Sequence, residues 1–219
     1  SGQVEAGGFV PSGVYDADGA DGDDFRTVGG DYYKPTDADY EANCDEARQL
    51  LADAGYPNGE GFPVVEYLYN TSDAHKAVAE ALQFMWEEEL GVKVTLNNQE
   101  WAAFLQTRKD GDYSIARNGW IADYNDPISF LDMWMTGGGN NDAQYANDDY
   151  DALIKQAKTT TDNAERMDLL HQAEDKLIGE DNVLAPLYFY TQKYMLADGI
   201  EGMYYCPLGY FFFGYTHQA

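Results

Sequence analysis

The order of apolar and polar residues divides the chain into alternating helices and strands. Apolar residues at helical spacing predict helices at about 37–54, 73–90, 100–109, 129–135, 148–158 and 163–179. Strand-like runs lie between them, at 64–69, 92–97, 113–118, 184–191 and 194–197. Strands that alternate with helices predict an α/β fold in which helices flank a mixed sheet.

The same spacing assigns an apolar face to each helix. Thr36 and Asp39 form a capping arrangement before the first helix. Its predicted inward residues are Tyr40, Ala47, Leu50, Leu51 and Ala54, and those of the second helix are Ala74, Val78, Ala81, Leu82, Met85 and Trp86. The last two helices should bury Tyr150, Leu153, Ile154 and Ala157, and then Met167, Leu170, Ala173 and Leu177.

Length and charge narrow the class of protein. With 219 residues and neither an internal repeat nor a low-complexity linker, the chain is expected to form a single domain, 1–219. Its 13 Lys and Arg against 39 Asp and Glu give a formal charge of -26. Such a surface repels phosphate backbones and anionic lipid, so nucleic acid is not an expected partner. Residues 1–35 form an extended acidic segment, and residues 198–219 an aromatic one.

Two features suggest metal or thiol chemistry at first sight. The acidic run DADGADGDD at 16–24 is spaced like a calcium loop, but Gly and Ala occupy ligand positions of the EF-hand template and no glutamate closes the loop. A solvated surface loop is the simpler interpretation. Cys44 and Cys206 form no CxxC or Cys/His metal spacing. Cys44 lies on the apolar side of its helix, which favours a buried free thiol.

The stretch YSIARNGWIADYNDP at 113–127 carries the strongest candidate site. It begins as a strand, and Gly119 breaks the pattern before Pro127 prevents further pairing. A strand end that presents Trp120 and Asp123 on a loop is where open α/β sheets hold ligands. The alternative is that Trp120 covers the core and Asp123 caps the following helix.

Several motifs in order resemble the bacterial family 5 solute-binding proteins, specifically the oligopeptide-binding lipoproteins of ABC importers. They are LLADAGYPNG at 50–59, LYNTSDAHK at 68–76, GVKVTLNNQEWAAFL at 91–105, ARNGWIADYNDPISFLD at 116–132 and APLYFY at 185–190. The resemblance implies one lobe, the C-terminal one, of a two-lobed periplasmic-binding-protein-like fold. It also implies that the aromatic segment packs toward the missing N-terminal lobe or the hinge.

The resemblance implies a role for ten residues. Asp123 matches the aspartate that pairs with a peptide's α-ammonium, a charge-assisted bond. Asn118, Gly119 and Trp120 match the segment beside the peptide, and Trp101 and Trp120 match pocket aromatics. Arg108, Arg117 and His75 match positions that meet peptide carboxylates, while Asn70 and Tyr190 match further polar cleft residues. Alternatively, Arg108 is an exposed helix arginine, Trp101 is core, and Asn70 only ends its strand.

The expected function is therefore that of a binding module, not an enzyme, with no cofactor. It would capture oligopeptides outside the cytoplasmic membrane, as a cell-surface lipoprotein or periplasmic protein, and deliver them to ABC permease subunits by closing two lobes. The first alternative is a non-peptide ligand within the same family: nickel, haem, a sugar or a dipeptide. The others are a calcium-dependent surface module and a glycoside hydrolase that uses Asp123 with Asp126 or Asp132.

Overall fold

A computed structural model describes residues 2–33, 39–206 and 209–219 of the chain. The strands are β1 (Val4–Glu5), β2 (Val65–Asn70), β3 (Val94–Gln99), β4 (Ile115–Ala116), β5 (Tyr188–Phe189), β6 (Ile200–Glu201), β7 (Tyr204–Cys206), β8 (Tyr210–Phe212) and β9 (His217–Gln218). The α-helices are α1 (Phe25–Gly29), α2 (Tyr40–Asp53), α3 (Asp73–Leu90), α4 (Trp101–Asp110), α5 (Ile128–Leu131), α6 (Asp148–Ala157) and α7 (Asn163–Glu174). None of the helices in these ranges is long and apolar enough to cross a membrane.

The chain divides into two compact units. The first unit comprises Ser1–Tyr33, Trp120–Asp132 and Asp149–Ala219, and the second comprises Lys34–Gly119 and Met133–Asp148. The chain leaves the second unit at Gly119 and enters the first at Trp120, so this boundary falls inside the central motif of the sequence. That the whole chain forms one domain stays a prediction.

The second unit is built on a parallel sheet in the order β3-β2-β4. The register of β2 with β3 runs from Val65 opposite Val94 to Asn70 opposite Gln99. Helices α3 and α4 make the crossovers that parallel strands require. The apolar core lies under α3 and comprises Tyr67, Tyr69, Ala79, Val92 and Val94, with Leu51, Leu82 and Trp86 packed against it.

Gly91 permits the close turn from α3 into β3. Its φ of 67° is left-handed, and a Cβ at this position would lie 2.2 Å from the carbonyl oxygen of Asn58. Only glycine fits such a conformation and such an approach together. The predicted end of the helix at Leu90 is therefore confirmed.

Helices α6 and α7 supply the apolar residues of the first unit. The inward positions predicted for α7 are all buried: Met167, Leu170, Ala173 and Leu177, the last lying in the π-helical turn Asp175–Glu180 that continues α7. On α6, Tyr150, Ile154 and Ala157 are buried, and the Tyr150 hydroxyl donates to the Leu131 carbonyl at 2.6 Å. These stripes confirm the predicted face of α7 and three of the four positions predicted on α6, where Leu153 is only half-buried.

A buried carboxylate joins three segments of the first unit. Glu174 is fully buried at the end of α7 and forms a bidentate ion pair with Arg26 of α1, at 3.0 and 2.9 Å. Its Oε1 also accepts the main-chain N–H groups of Phe9 and Val10, at 2.8 and 2.9 Å. A buried charge is tolerated only with such complete pairing. Glu174 therefore fixes the N-terminal segment and α1 on α7.

Other predicted helix faces were partly wrong. Leu50 is 62% exposed and Ala54 is exposed, while Leu51 packs on the core, because α2 covers the sheet along a narrower stripe than its apolar residues suggest. On α3, Ala74, Ala81 and Met85 are exposed, and the buried position is Ala79. The capping arrangement predicted at Thr36 lies outside the described residues.

The predicted strands were also corrected in part. Only Ile115–Ala116 of the predicted 113–118 strand pairs, since β4 is an edge strand and Ile115 is 40% exposed. No strand forms at 194–197, where Met195 is 96% exposed. Instead, β6 pairs with β9 and β7 with β8, both antiparallel. The α/β fold class is confirmed, with parallel and antiparallel pairs in separate sheets. Cys44 is buried and unbridged, as predicted.

Replacing the buried carboxylate should destabilise the protein strongly. In the intact protein, we expect Glu174→Gln to lower the free energy of unfolding by about 3–5 kcal/mol, because Arg26 loses its buried counter-charge and keeps only the exposed Asp31, 3.8 Å from its Nε. Urea denaturation measures the change. The matched control is Glu80→Gln, which removes the exposed Lys76–Glu80 pair (3.7 Å) of α3 and should change stability by about 0.5 kcal/mol or less. Equal effects of the two substitutions would contradict the prediction.

Candidate functional site

The carboxyl edge of the parallel sheet gathers most of the predicted site residues of the second unit. Asn70 is the last residue of β2, Trp101 begins α4 directly after β3, and Arg117 follows β4. The chain passes from β2 to β3 through α3, and then from β3 across β2 to β4 through α4, so β3 and β4 lie on opposite sides of β2. Open α/β sheets bind ligands at such switch points, outside the carboxyl ends of the strands.

Asn70 has an unsatisfied acceptor at this edge. Its side chain is 9% exposed, and its Oδ1 has no hydrogen-bond partner within residues 2–33, 39–206 and 209–219. Buried polar atoms are almost always hydrogen-bonded, and an unpaired one raises the free energy by about 1–3 kcal/mol. The position therefore suits a ligand that brings an N–H or O–H donor.

His75 lies in the first turn of α3, beside the end of β2. Burial lowers the pKa of its imidazole, the Arg117 guanidinium lowers that pKa further, and a hydrogen bond to the Asn70 main chain opposes both. The imidazole is therefore neutral at pH 7. An anion bound between His75 and Arg117 would offset the positive charge of Arg117 and so favour the protonated form of His75.

Arg108 is already engaged within the second unit. Its Nε donates to Asp142 Oδ2 at 2.7 Å, and its NH1 group donates to Asn118 Oδ1 at 2.9 Å. The side chains of Arg108 and Asp142 are each only 13% exposed, so the alternative of an exposed helix arginine is wrong. Because Asp142 neutralises this guanidinium, the geometry favours Arg108 as a support for the chain at Asn118 rather than as a free carboxylate receptor.

Trp101 is not a core residue. It is 52% exposed at the start of α4 and stacks on the fully buried Phe104, with ring centroids 5.8 Å apart. An exposed indole on a fixed aromatic base offers a broad apolar contact without strict demands on shape.

The central motif continues in the first unit as a loop, residues 120–126, that we call the site loop. The Trp120 Nε1 donates to the Ser129 carbonyl at 2.7 Å, and the Asp123 N–H donates to Ser129 Oγ at 2.9 Å. Asp123 is exposed, and its carboxylate has no hydrogen bond or ion pair with any residue that the structure describes. The helix-capping alternative for Asp123 is wrong, because Asp126 Oδ1 accepts the Ile128 N–H at 2.9 Å.

Tyr190 follows β5 in the first unit and is 58% exposed. Its ring meets that of Tyr188 edge to face at 5.2 Å, and the two hydroxyls are 3.4 Å apart. The structure thus places Trp120, Asp123 and Tyr190 in the first unit and the other seven predicted residues in the second.

Three contributing residues were not predicted from the sequence: Asp142, Ser129 and Arg166. Asp142 lies in the glycine-rich segment 137–142, which was interpreted as a plain flexible loop. Arg166 of α7 pairs with Asp126 of the site loop through two hydrogen bonds of 2.9 Å. No local sequence pattern marks such pairs, since their partners lie 34 and 40 residues away.

The acidic residues proposed for other chemistry have partners in the structure. Asp16 contacts His171 at 2.8 Å, and Asp24 accepts the main-chain N–H groups of Gly13 and Thr27. The described residues include no group of three or more His, Cys, Asp or Glu arranged to hold a metal ion. Asp132 lies 3.2 Å from Lys158. Asp126 and Asp132 are both paired with cations of the protein, so neither is the unpaired carboxyl group that the hydrolase alternative requires.

Comparison with known families gives one match that covers most of the chain. Residues 7–142 match the family described as bacterial extracellular solute-binding proteins, family 5 Middle. The dipeptide-binding protein DppE of Bacillus subtilis is 39% identical over 191 residues, which is 87% of this chain and 34% of that protein. The periplasmic oligopeptide-binding protein OppA of Salmonella typhimurium is 39% identical over 158 residues, 72% of this chain and 29% of that protein.

Solved structures show the same fold. Haemophilus influenzae OppA in complex with the peptide RPPGFSPFR matches with a TM-score of 0.75 and 30% identity, over 92% of this chain and 37% of that one. The substrate-binding domain of a Bacillus anthracis oligopeptide ABC transporter matches with a TM-score of 0.77 and 28% identity, over 99% of this chain and 41% of that one. The chain spans about a third of the length of the curated relatives it matches.

The depressed pKa of His75 can be tested in the unliganded intact protein. We expect an NMR titration to give a pKa below the ordinary 6.5, and Arg117→Met to raise it only part of the way, because burial is the larger cause. Since the folded state binds fewer protons here than the unfolded state, this site loses stability as the pH falls below 6.5. The control is the exposed His217, whose resonance should not move on Arg117→Met. A His75 pKa unchanged by the substitution would contradict the assignment.

Proposed function

Because the chain belongs to the bacterial extracellular solute-binding proteins of family 5, we propose that it forms one lobe of an oligopeptide receptor for an ABC importer. The intact protein would capture peptides outside the cytoplasmic membrane by closing two lobes around them, without breaking any bond. The matched relatives include proteins described as binding dipeptides and oligopeptides. The permease subunits of the importer are the proposed partners.

The state of Asp123 is the observation that carries this proposal. The site loop holds its main chain on Ser129 while its carboxylate stays exposed and unpaired among the described residues. Both neighbouring candidates, Asp126 and Asp132, are matched by cations of the protein. Asp123 is therefore the carboxylate left for a cation brought by the ligand, such as a peptide's α-ammonium.

The second unit, taken by itself, carries groups that suit other parts of a peptide. Arg117, with the neutral His75, suits a carboxylate, and the unsatisfied Oδ1 of Asn70 suits an amide N–H. Asn118 and Gly119 are exposed, and the Gly119 N–H donates to Asn118 Oδ1 at 2.7 Å, so strand-like pairing with a peptide backbone would use the other main-chain groups of these residues. The half-exposed Trp101 suits side chains of varied shape. Recognition of the constant parts of a peptide is what a receptor of broad specificity requires.

A non-peptide ligand is the second candidate. Among the matched relatives are a probable deoxycholate-binding protein and a heme-binding protein, at 38% and 30% identity. Each unit, taken by itself, carries groups that suit a peptide: Asp123 in the first suits an ammonium group, and Arg117 in the second suits a carboxylate. Peptide binding is therefore tested first. If no peptide binds to the intact protein, nickel, haem and sugars are tested next.

We further propose that the aromatic segment 198–219 packs against the other lobe of the intact protein. Tyr204 and Phe212 stack with centroids 4.7 Å apart yet are 57% and 44% exposed, and Tyr215 is 85% exposed. Aromatic area of this extent is unusual on a free surface. An apolar partner would explain it.

Removal of the Asp123 charge should weaken the binding of free peptides. In the intact protein, Asp123→Asn is expected to cost about 2–5 kcal/mol of affinity for tripeptides with a free amine, measured by tryptophan fluorescence or calorimetry. N-acetylated peptides should bind weakly to the unsubstituted protein and be indifferent to the substitution. Asp112→Asn, at another exposed aspartate, is the matched control. Unchanged affinity of Asp123→Asn for free peptides would refute the assignment.

The aromatic segment gives a separate prediction. If an apolar partner covers Tyr215, then Tyr215→Asp buries an unpaired charge and should lower the melting temperature of the intact protein by several degrees. Tyr215→Phe, which keeps the apolar ring, should leave it unchanged. A melting temperature that is indifferent to Tyr215→Asp would show that the segment stays in solvent.

A further inference from the structure

The site loop is held from outside by two independent anchors. The first is Ser129 in α5, whose side chain is only 4% exposed. Its hydroxyl accepts the Asp123 N–H at 2.9 Å, and its carbonyl accepts the Trp120 indole at 2.7 Å. One buried residue therefore fixes both the carboxylate-bearing and the aromatic position of the loop.

The second anchor is Arg166 in α7. Its two terminal nitrogens each lie 2.9 Å from an oxygen of Asp126, and the side chains are only 18% and 25% exposed. Bidentate pairing fixes orientation as well as distance. Between the anchors, Asn125 accepts the Tyr15 N–H at 2.7 Å and donates to the Gly13 carbonyl at 3.1 Å.

The two anchors order a loop whose own backbone does not fix its side chains. Residues 120–126 contain no helix or strand, so nothing in the local backbone fixes the direction of the Asp123 carboxylate. Each freely rotating residue that a ligand must order reduces affinity, and prior ordering removes that penalty. Arg166 also neutralises Asp126, the other acidic side chain of the loop, which would otherwise compete for a ligand cation only three residues away.

We propose that Ser129 and Arg166 are positioning residues of the amine-binding site. Ser129 sets the position of Asp123, and Arg166 leaves Asp123 as the only carboxylate of the site loop open to a ligand ammonium. Neither residue touches the ligand. This inference rests on the proposed function. It adds that Ser129 and Arg166 make the site prefer a peptide with a free amine to an N-acetylated one.

The experiment measures the ratio of affinities for a free tripeptide and its N-acetylated form in the intact protein. Ser129→Ala keeps the carbonyl that holds Trp120 but leaves the Asp123 N–H without its acceptor. We expect the ratio to fall about tenfold, as loss of one such hydrogen bond predicts. Ser129→Thr, which keeps the hydroxyl, should restore it. Ser72→Ala is the matched control, because Ser72 caps α3 without a side-chain hydrogen bond.

A double-substitution cycle separates positioning from general destabilisation. In an Asp123→Asn background, Ser129→Ala should produce no further fall in the ratio, because it acts through Asp123. Arg166→Met tests the same inference through another helix and should also lower the ratio, so a folding defect in one variant leaves the other decisive. Melting curves establish which variants fold.

The outcomes separate the two proposals. If the unsubstituted protein does not distinguish free from acetylated peptides, the proposed function fails. If it does, and Asp123→Asn abolishes the distinction while folded Ser129→Ala and Arg166→Met retain the full ratio, only the positioning inference is overturned. Equal losses for free and acetylated peptides in these variants would also overturn it, since they would indicate a structural role alone.

Discussion

The buried pair of Glu174 and Arg26 is the interaction on which the first unit depends most. The N-terminal segment has little regular structure before α1, so few main-chain hydrogen bonds can hold it in place. One carboxylate replaces them by accepting from Phe9, Val10 and the guanidinium together. Because the loss of one partner of a buried ion pair is strongly destabilising, we expect Glu174 and Arg26 to tolerate substitution only together. Glu174 holds Phe9 and Val10, and a few residues later Gly13 and Tyr15 hydrogen-bond to Asn125 of the site loop.

The two units use charge in different ways. In the second unit, the Asp142 carboxylate neutralises Arg108 beside Asn118. Arg117, His75 and Asn70 are the other polar residues of the candidate site in this unit. In the first unit, Arg166 neutralises Asp126, so Asp123 is the carboxylate of the site loop that has no ion pair among the described residues. Each unit thus pairs one charged group of its candidate site internally, Arg108 in the second unit and Asp126 in the first. Internal pairing decides which of several similar side chains can serve a ligand.

The sequence predicted those parts of the molecule that depend on local pattern. The stripes of α6 and α7 are regular, and β2 and β3 have strong apolar runs, so their positions were correct to within about two residues. The strand predicted at 194–197 was wrong because its apolar residues face solvent. The strand predicted at 113–118 was longer than the observed β4, because an edge strand pairs on one side only. Resemblance to a family identified Asp123. Arg166 and Asp142 could not be found in this way, since their partners lie 40 and 34 residues away, and the nearby Ser129 was missed because the hydrogen bonds of an irregular loop follow no periodic pattern.

The side chain of Asn70 has a consequence for the unliganded state. Its buried oxygen is an acceptor that the described part of the protein does not satisfy, at the end of the central strand of a rigid sheet. Pairing with Gln99 fixes the main chain of Asn70, so only rotation of the side chain could bring this oxygen to another donor. If a ligand donates to this oxygen, as proposed above, part of its affinity comes from satisfying an acceptor that the described residues leave unpaired. Evolution could change that affinity by altering the strand end alone, without touching the contacts that choose among ligands.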